Sequence, residues 1–456
     1  MVGAAGRAPA PNPCTECPPG KAGEGHPLPG CDEPLTPRPL APRAPGPARY
    51  DRGLARGPRR RAKWILRPRR LICDIAPVRV VVVGAGIVGA ACAYYLTRAG
   101  IDVVVVERGA VASGTTGAGE GNVLVSDKGP GPELDLAARS AGLWRELAEE
   151  VGGFEYEPKG GLVVAGEDGA RAALEEFAAG QRAAGVEADV VPAGDLRGYE
   201  PHLSDGHAGG VFYPGDAQVH PMLAAARLLR ASGAATRFGT AVTGLIRHGD
   251  RVAGVRTPGG DIAADAVVNA AGTWSGDVAR LAGVDLPVLP RRGFVLVTEP
   301  LPPLVRHKVY TAAYVTDVAS DSADLETSAV VEGTPSGTVL IGASRERVGF
   351  DRSMPVAVLE RLAAQAVALF PALADARVIR AYRGFRPYCP DHLPVIGPDP
   401  RAPGLWHAAG HEGAGIGLAP ATADLLTALL TGRDPVPGTG LDPAPFRPER
   451  FAEEAA

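Results

Sequence analysis

Cysteine and long apolar runs are both scarce in this chain. Six Cys are scattered over 456 residues, at positions 14, 17, 31, 73, 92 and 389. That spacing excludes a disulfide-stapled scaffold, and a reducing compartment is the expected setting. No stretch supplies the roughly 18–20 apolar residues that a membrane span needs. A transmembrane segment is therefore not expected, and the placement read is cytoplasmic, with peripheral membrane contact left open. Charge of one sign is also sparse, at a net −4, but that figure hides a split. Residues 1–77 carry 16 Pro and 14 Lys+Arg against 6 Asp+Glu, a net +8, which leaves −12 for the rest. The 379 residues after Pro77 exceed the ~250–300 at which one core stops growing, so two domains are expected there.

Residues 1–77 read as a disordered, Pro/Arg-rich extension. Residues 1–50 have no apolar periodicity to bury, so ordering them has nothing to offset its entropy cost. Cys14, Cys17, His26 and Cys31 have zinc-ligand chemistry at C-x2-C-x8-H-x4-C spacing, but no strand or helix frames them. The preferred reading there is chance cysteines, and no metal site is expected. A basic run from Arg49 to Arg70 suits nucleic acid or an anionic membrane. It also resembles the start of a signal peptide, because Val80–Leu96 is uncharged for 17 residues. That idea fails, since cleavage there would destroy the glycine motif described next. The favoured reading is a dispensable segment, upstream sequence read into the gene, although the next Met after Met1 is Met222. For the acidic remainder no nucleic-acid partner is expected.

The character changes at Arg79. Arg79-Val-Val-Val-Val83 is a β-branched run of the kind buried in a parallel sheet. Gly84-Ala-Gly86-Ile-Val-Gly89 follows, then a helix with Ala90, Ala91, Ala93 and Leu96 on its inner stripe. Gly100 closes that helix, and Ile101–Glu107 is a second strand ending in an acid. Gly84 permits the turn, Gly86 lets a pyrophosphate approach the backbone, and Gly89 allows close helix–strand packing. Glu107 is placed to accept hydrogen bonds from a ribose 2′,3′-diol. Strand, glycines, helix, strand and acid in this order indicate an adenine dinucleotide, either FAD or NAD.

Two further segments favour FAD. The loop Ser113-Gly-Thr-Thr-Gly-Ala-Gly-Glu-Gly-Asn122 is rich in glycine and hydroxyl groups. Far downstream, Gly384-Phe-Arg386-Pro387 and Asp391–Pro398 precede a short strand, Leu405–Ala409. A second turn, Gly410-His411-Glu412-Gly413-Ala-Gly415-Ile416-Gly417, then opens an apolar helix running to Leu430.

With these pieces in place the chain resembles the D-amino-acid oxidase superfamily of FAD-dependent amine and amino-acid oxidoreductases, which includes glycine and sarcosine oxidases. The matching segments also include Gly215–Pro221, Val268–Ser275 and Pro290–Gly293, and together they span about residues 79–432. The wording of Gly121–Lys128 and Gly410–Gly415 is most similar to the flavin subunits of opine oxidase, hydrogen cyanide synthase and hydroxyproline dehydrogenase. The resemblance implies that FAD meets Gly84, Gly86, Ile87, Val88 and Gly89 at the first turn, with Glu107 and Arg108 after the second strand. It implies Ser113, Thr115, Thr116, Gly121 and Asn122 in the loop, Val242, Ala271, Gly272 and Trp274 mid-chain, and Gly413, Gly415 and Ile416 at the last turn. Some sarcosine oxidases bind flavin covalently through a Cys before the last motif. Here that region reads Gly384-Phe-Arg-Pro-Tyr388, so non-covalent FAD is expected.

The chemistry implied is hydride transfer from the carbon of a C–N bond to flavin. The substrate expected is a small amino acid or amine. Arg386 is the implied carboxylate anchor, because a forked guanidinium suits a carboxylate. Tyr310 and Tyr314 are implied substrate-facing residues on a strand read as Val309–Thr316. His411 and Glu412 stand beside the expected flavin position as candidates for tuning amine protonation. His220 is read equally as a helix start or a substrate contact. An amino-acid dehydrogenase or oxidase is the first reading. A flavin subunit passing electrons to an iron–sulfur or quinone partner is the second, and a non-catalytic FAD protein or nicotinamide-linked enzyme the third.

The expected fold is α/β, a Rossmann-like FAD-binding domain with a second, mixed β-sheet and helix substrate domain. The FAD domain is expected to take residues 78–155, 205–285 and 378–440, including a meander over Thr240–Ala264. The substrate domain takes 156–204 and 286–377, with strands at Val288–Val297, Ala329–Val331 and Thr338–Ser344 and a helix at Pro355–Phe370. Residues 441–456 are read as a tail.

Overall fold

A computed structural model describes residues 78–451. The extension before them, with its candidate zinc residues and basic run, lies outside the described residues.

Strand Arg79–Val83 sits inside a six-stranded sheet, between parallel neighbours Ala266–Asn269 and Asp102–Val106. With both edges paired and helices against its faces, the run of β-branched residues is buried, Val80 to Val82 at 0% exposure. Ala235–Arg237 extends one side of the sheet, and Leu405–Ala409 with antiparallel Val395–Pro398 the other. Helix Ile87–Arg98 packs between helices Gly415–Leu430 and Pro221–Ser232. Its Gly89, Ala90, Ala91 and Ala93 present little side-chain bulk, which lets its neighbours approach. The segment Glu412–Leu430, a short turn running into helix Gly415–Leu430, has the length and apolarity of a membrane span, but most of it is buried inside the fold.

A three-stranded meander, Gly244–His248, Arg251–Thr257 and Gly260–Ala263, falls inside the expected stretch. The second large sheet has eight strands, ordered Val378–Tyr388, Leu289–Thr298, Val339–Arg345, Glu326–Gly333, Lys308–Thr311, Gly161–Ala165, Gly209–Tyr213 and Asp189–Pro192. All its pairings are antiparallel except Lys308–Thr311 on Gly161–Ala165, which makes the sheet mixed. Helix Val356–Leu369 covers one face through Val358, Leu362, Ala366 and Leu369.

Three expectations need correction. Gly209–Tyr213 and Val378–Tyr388, placed with the cofactor domain, are strands of the eight-stranded sheet, because their backbones pair with Gly161–Ala165 and Leu289–Thr298. The strand expected over Val309–Thr316 stops at Thr311, and Ala312–Val318 is helical. The β-branched residues of that stretch favoured extension, but two alanines after Thr311 begin the helix. Residues 441–451 are no loose tail: Leu441, Phe446 and Phe451 are buried, and Arg450 Nη2 donates to the Leu393 carbonyl at 2.7 Å.

Candidate active site

A cavity of about 680 Å³ is lined by elements of both large sheets. Its size lies within the ~300–1,000 Å³ of small-molecule and cofactor sites. One wall is the first turn, with Gly84, Gly86, Ile87 and Val88. Gly84 has φ +112°, and a Cβ there would lie 2.4 Å from the Ala270 carbonyl oxygen, so the turn needs glycine. At Gly86 a Cβ would meet only Thr116 Oγ1, at 3.1 Å, and the backbone is open to the cavity. Glu107 accepts from the N–H of Ala85 at 2.9 Å and of Gly109 at 2.7 Å, which fixes its carboxylate at the cavity wall. Two oxygens with about four acceptor sites leave capacity for ribose hydroxyls.

The loop after Glu107 is tied to the distant strand that carries Arg386. Thr115 and Thr273 both donate to the Phe385 carbonyl, at 2.7 and 2.5 Å. Ser113, Thr115, Thr116 and Asn122 line the cavity, as do Val242, Ala271, Gly272 and Trp274. The Arg108 guanidinium lies 3.9 Å from the Trp274 ring centroid, and Trp274 stacks on Phe350. Gly413, Gly415 and Ile416 bring the N-terminus of helix Gly415–Leu430 to the same space, where its partial positive charge favours an anion. These residues fit FAD: an open glycine turn, a fixed carboxylate and a polar loop along one continuous cavity.

At the other end stand Arg386, Tyr314, His411 and Glu412, all lining the cavity. Nη1 of Arg386 donates to the Ser344 carbonyl. His411 Nε2 lies 3.0 Å from Thr422 Oγ1, and burial holds its pKa down to about 3. Burial thus favours the neutral ring at ordinary pH, which weighs against the titrating role the sequence reading allowed. Glu412 does not point freely to solvent. Its carboxylate meets Arg291 Nη1 at 3.5 Å and His392 Nδ1 at 2.9 Å, and accepts from the Cys389 N–H at 3.3 Å. Beside Glu412, the His392 imidazole is held above its usual range.

Four sequence-proposed residues do not line the cavity. Tyr310 is fully buried, its hydroxyl bonded to Ser126, so its substrate-facing role is withdrawn; the alternation of its strand turns it into the core. Gly89 and Gly121 act through packing instead: a Cβ at either would lie 2.0 Å from a backbone oxygen, of Gly84 and Val219 respectively. His220 caps a helix, its Nδ1 accepting from the Leu223 N–H at 3.3 Å.

The family model described as FAD dependent oxidoreductase, DAO, matches residues 79–429. The chain belongs to this family. It is an FAD-dependent oxidoreductase. Among its relatives, glycine oxidase of Pseudomonas aeruginosa is 34% identical over 388 residues, covering 81% of this chain and 98% of that one. Hydrogen cyanide synthase subunit HcnC of the same species is 30% identical over 423 residues, covering 83% and 97%. The crystal structure of glycine oxidase from Geobacillus kaustophilus superposes with a TM-score of 0.72 at 28% identity, covering 81% of this chain and 98% of that one.

Sequence reasoning missed two groups of this FAD-dependent oxidoreductase. Glu120 lines the cavity yet was passed over within its glycine-rich loop. Arg291, 1% exposed, bonds to the Ser320 carbonyl at 2.8 Å and pairs with Glu412 and Glu326. The Pro290–Gly293 motif signalled this second residue, but not its partner Glu412.

Proposed function

We propose that the protein oxidises the C–N bond of a small amino acid or secondary amine, of the D-amino-acid, proline-like, glycine or sarcosine type. The observation that carries this reading is Arg386. It is half-buried, it lines the cavity, and only Nη1 has a hydrogen-bond partner among the described residues. The rest of the fork is free to take a carboxylate in two parallel hydrogen bonds. FAD, when bound, accepts the hydride. The chain itself need supply no nucleophile or metal, only orientation and a site that accepts a neutral amine. Neutral His411 adds no positive charge next to that amine, and Arg291 and His392 hold Glu412 in place. The N-terminus of Gly415–Leu430 favours the negative charge that accumulates at its end of the cavity.

Anaerobic mixing with glycine, sarcosine, D-alanine and proline tests the reading. Bleaching of the flavin by at least one of them is expected, and a flavin bleached by none of a wider amine panel refutes it. A second reading concerns the electron acceptor and is favoured by the similarity to HcnC, whose name marks it as a subunit. Peroxide release by the isolated chain supports an oxidase. Dye reduction without peroxide supports transfer to a partner subunit or quinone. The FAD is proposed to be non-covalent, since Cys389 is buried outside the cavity lining. Acid precipitation should release all the flavin.

A further inference from the structure

Glu120 is an anomaly among the residues around the cavity. It lies between two glycines of a loop, yet is only 7% exposed. Its Oε1 is buried with no hydrogen-bond partner among the described residues. A buried acceptor without a donor is destabilising, more so when charged, so a group in this state needs an explanation.

The obvious intramolecular partner is already taken. Lys308, fully buried nearby, has its ammonium against Glu332 and the Asn122 side-chain oxygen. Burial holds the Glu120 carboxyl above the usual range, outweighing the opposing charges of Lys308, Arg386 and Arg345 and the nearby Gly342 backbone N–H. Space for the carboxyl exists because residue 342 is glycine: a Cβ there would lie 2.2 Å from Oε1.

Position then links Glu120 to the anchor. Glu120 abuts Gly342 and Arg386 donates to Ser344, two positions along the same strand, Val339–Arg345. Both residues line the one cavity. An α-amino acid carries its nitrogen and its carboxylate on a single carbon, so a site for one needs a donor fork and an acceptor side by side. A simple amine, lacking the carboxylate, would use only half of such a pair.

We propose that Glu120 receives the substrate's amine opposite the carboxylate held by Arg386, which makes the site selective for α-amino or α-imino acids over amines without a carboxylate. The proposal rests on the C–N oxidation proposed above. The orphaned oxygen of Glu120 is satisfied when the substrate's N–H donates to it. The Glu120–Arg386 pair then fixes both ends of the α-carbon's substituents.

The test uses the full-length FAD-loaded protein with Glu120→Gln and Glu120→Leu. The probes are the amino acid that bleaches the wild-type flavin and its amine-free counterpart: acetate for glycine, propionate for alanine, cyclopentanecarboxylate for proline. Binding of the acids is read from perturbation of the flavin spectrum, and amino-acid affinity from the concentration dependence of anaerobic bleaching. Glu120→Leu should weaken the amino acid roughly 10- to 100-fold while leaving the amine-free acid within about twofold. Glu120→Gln, which keeps an acceptor oxygen, should lie between. Equal weakening of both probes, no weakening of either, or loss of FAD from both variants overturns the proposal and assigns Glu120 to the frame of the site. A wild-type flavin that no amino acid bleaches instead overturns the C–N oxidation reading itself.

Discussion

Nη1 of Arg386 donates to the carbonyl oxygen of Ser344 at 2.7 Å. One arm of the guanidinium is thereby spent on the protein, and that bond aims the remaining N–H groups. A lysine in its place would carry the charge but not the fork. Arg386→Lys should raise KM roughly 100-fold with a smaller loss in kcat, and Arg386→Met should lose more. Steady-state kinetics on variants with full FAD content check this, and an unchanged KM would remove Arg386 from substrate binding.

His411 gives a pH prediction of definite sign. Burial holds its folded pKa near 3, against 6.5 for the ordinary side chain. Between those values the unfolded chain binds a proton that the folded chain does not, so stability falls as pH drops below about 6.5. The contribution should be about 2 kcal/mol at pH 5. Urea unfolding at pH 7 and pH 5 should show His411→Asn losing less stability over that interval than the wild type. The same substitution should remove no inflection from the pH–rate profile above pH 5, because the ring does not change its charge over that range.

Glu107 holds two backbone N–H groups as well as facing the cavity. Glu107→Ala should lower FAD affinity roughly 10- to 100-fold, read as flavin retained after gel filtration and as Kd on reconstitution. The substrate's KM, once FAD is saturating, should change little, since Glu107 and Arg386 serve opposite ends of the cavity.

The first strand is secured from within the folded part: Arg79 Nε pairs with Asp102 at 2.7 Å, and its backbone N–H donates to Asp265 at 2.8 Å. Removal of residues 1–77 should therefore leave FAD content and flavin bleaching unchanged. A truncated protein that folds but turns over more slowly would give the basic segment a role in the chemistry.

The cofactor half of the site was largely legible because local sequence builds it. The turn at Gly84, the acid at Glu107 and the last turn at Gly413 each stand in a short recognisable motif, although Ala270 and Ala85 complete the first two from further along the chain. The substrate half is assembled from afar. Glu120 reads as a solvated charge in a flexible loop until Gly342, over two hundred residues on, opens a space for it. Tyr310 and Tyr314 looked equivalent, and only the change from strand to helix after Thr311 sends one into the core and the other to the cavity. Arg386 was found through resemblance, whereas its aim depends on Ser344, Thr115 and Thr273.

The six-stranded sheet takes its strands from 79–106, 235–269 and 395–409, and the eight-stranded sheet from the stretches between, 161–213 and 289–388. Neither sheet is a length of chain that recombination could lift out whole and fuse to another partner. Fragments cut between the sheets would each lack strands that only the other piece supplies, so the two halves of the chemistry persist or fail together.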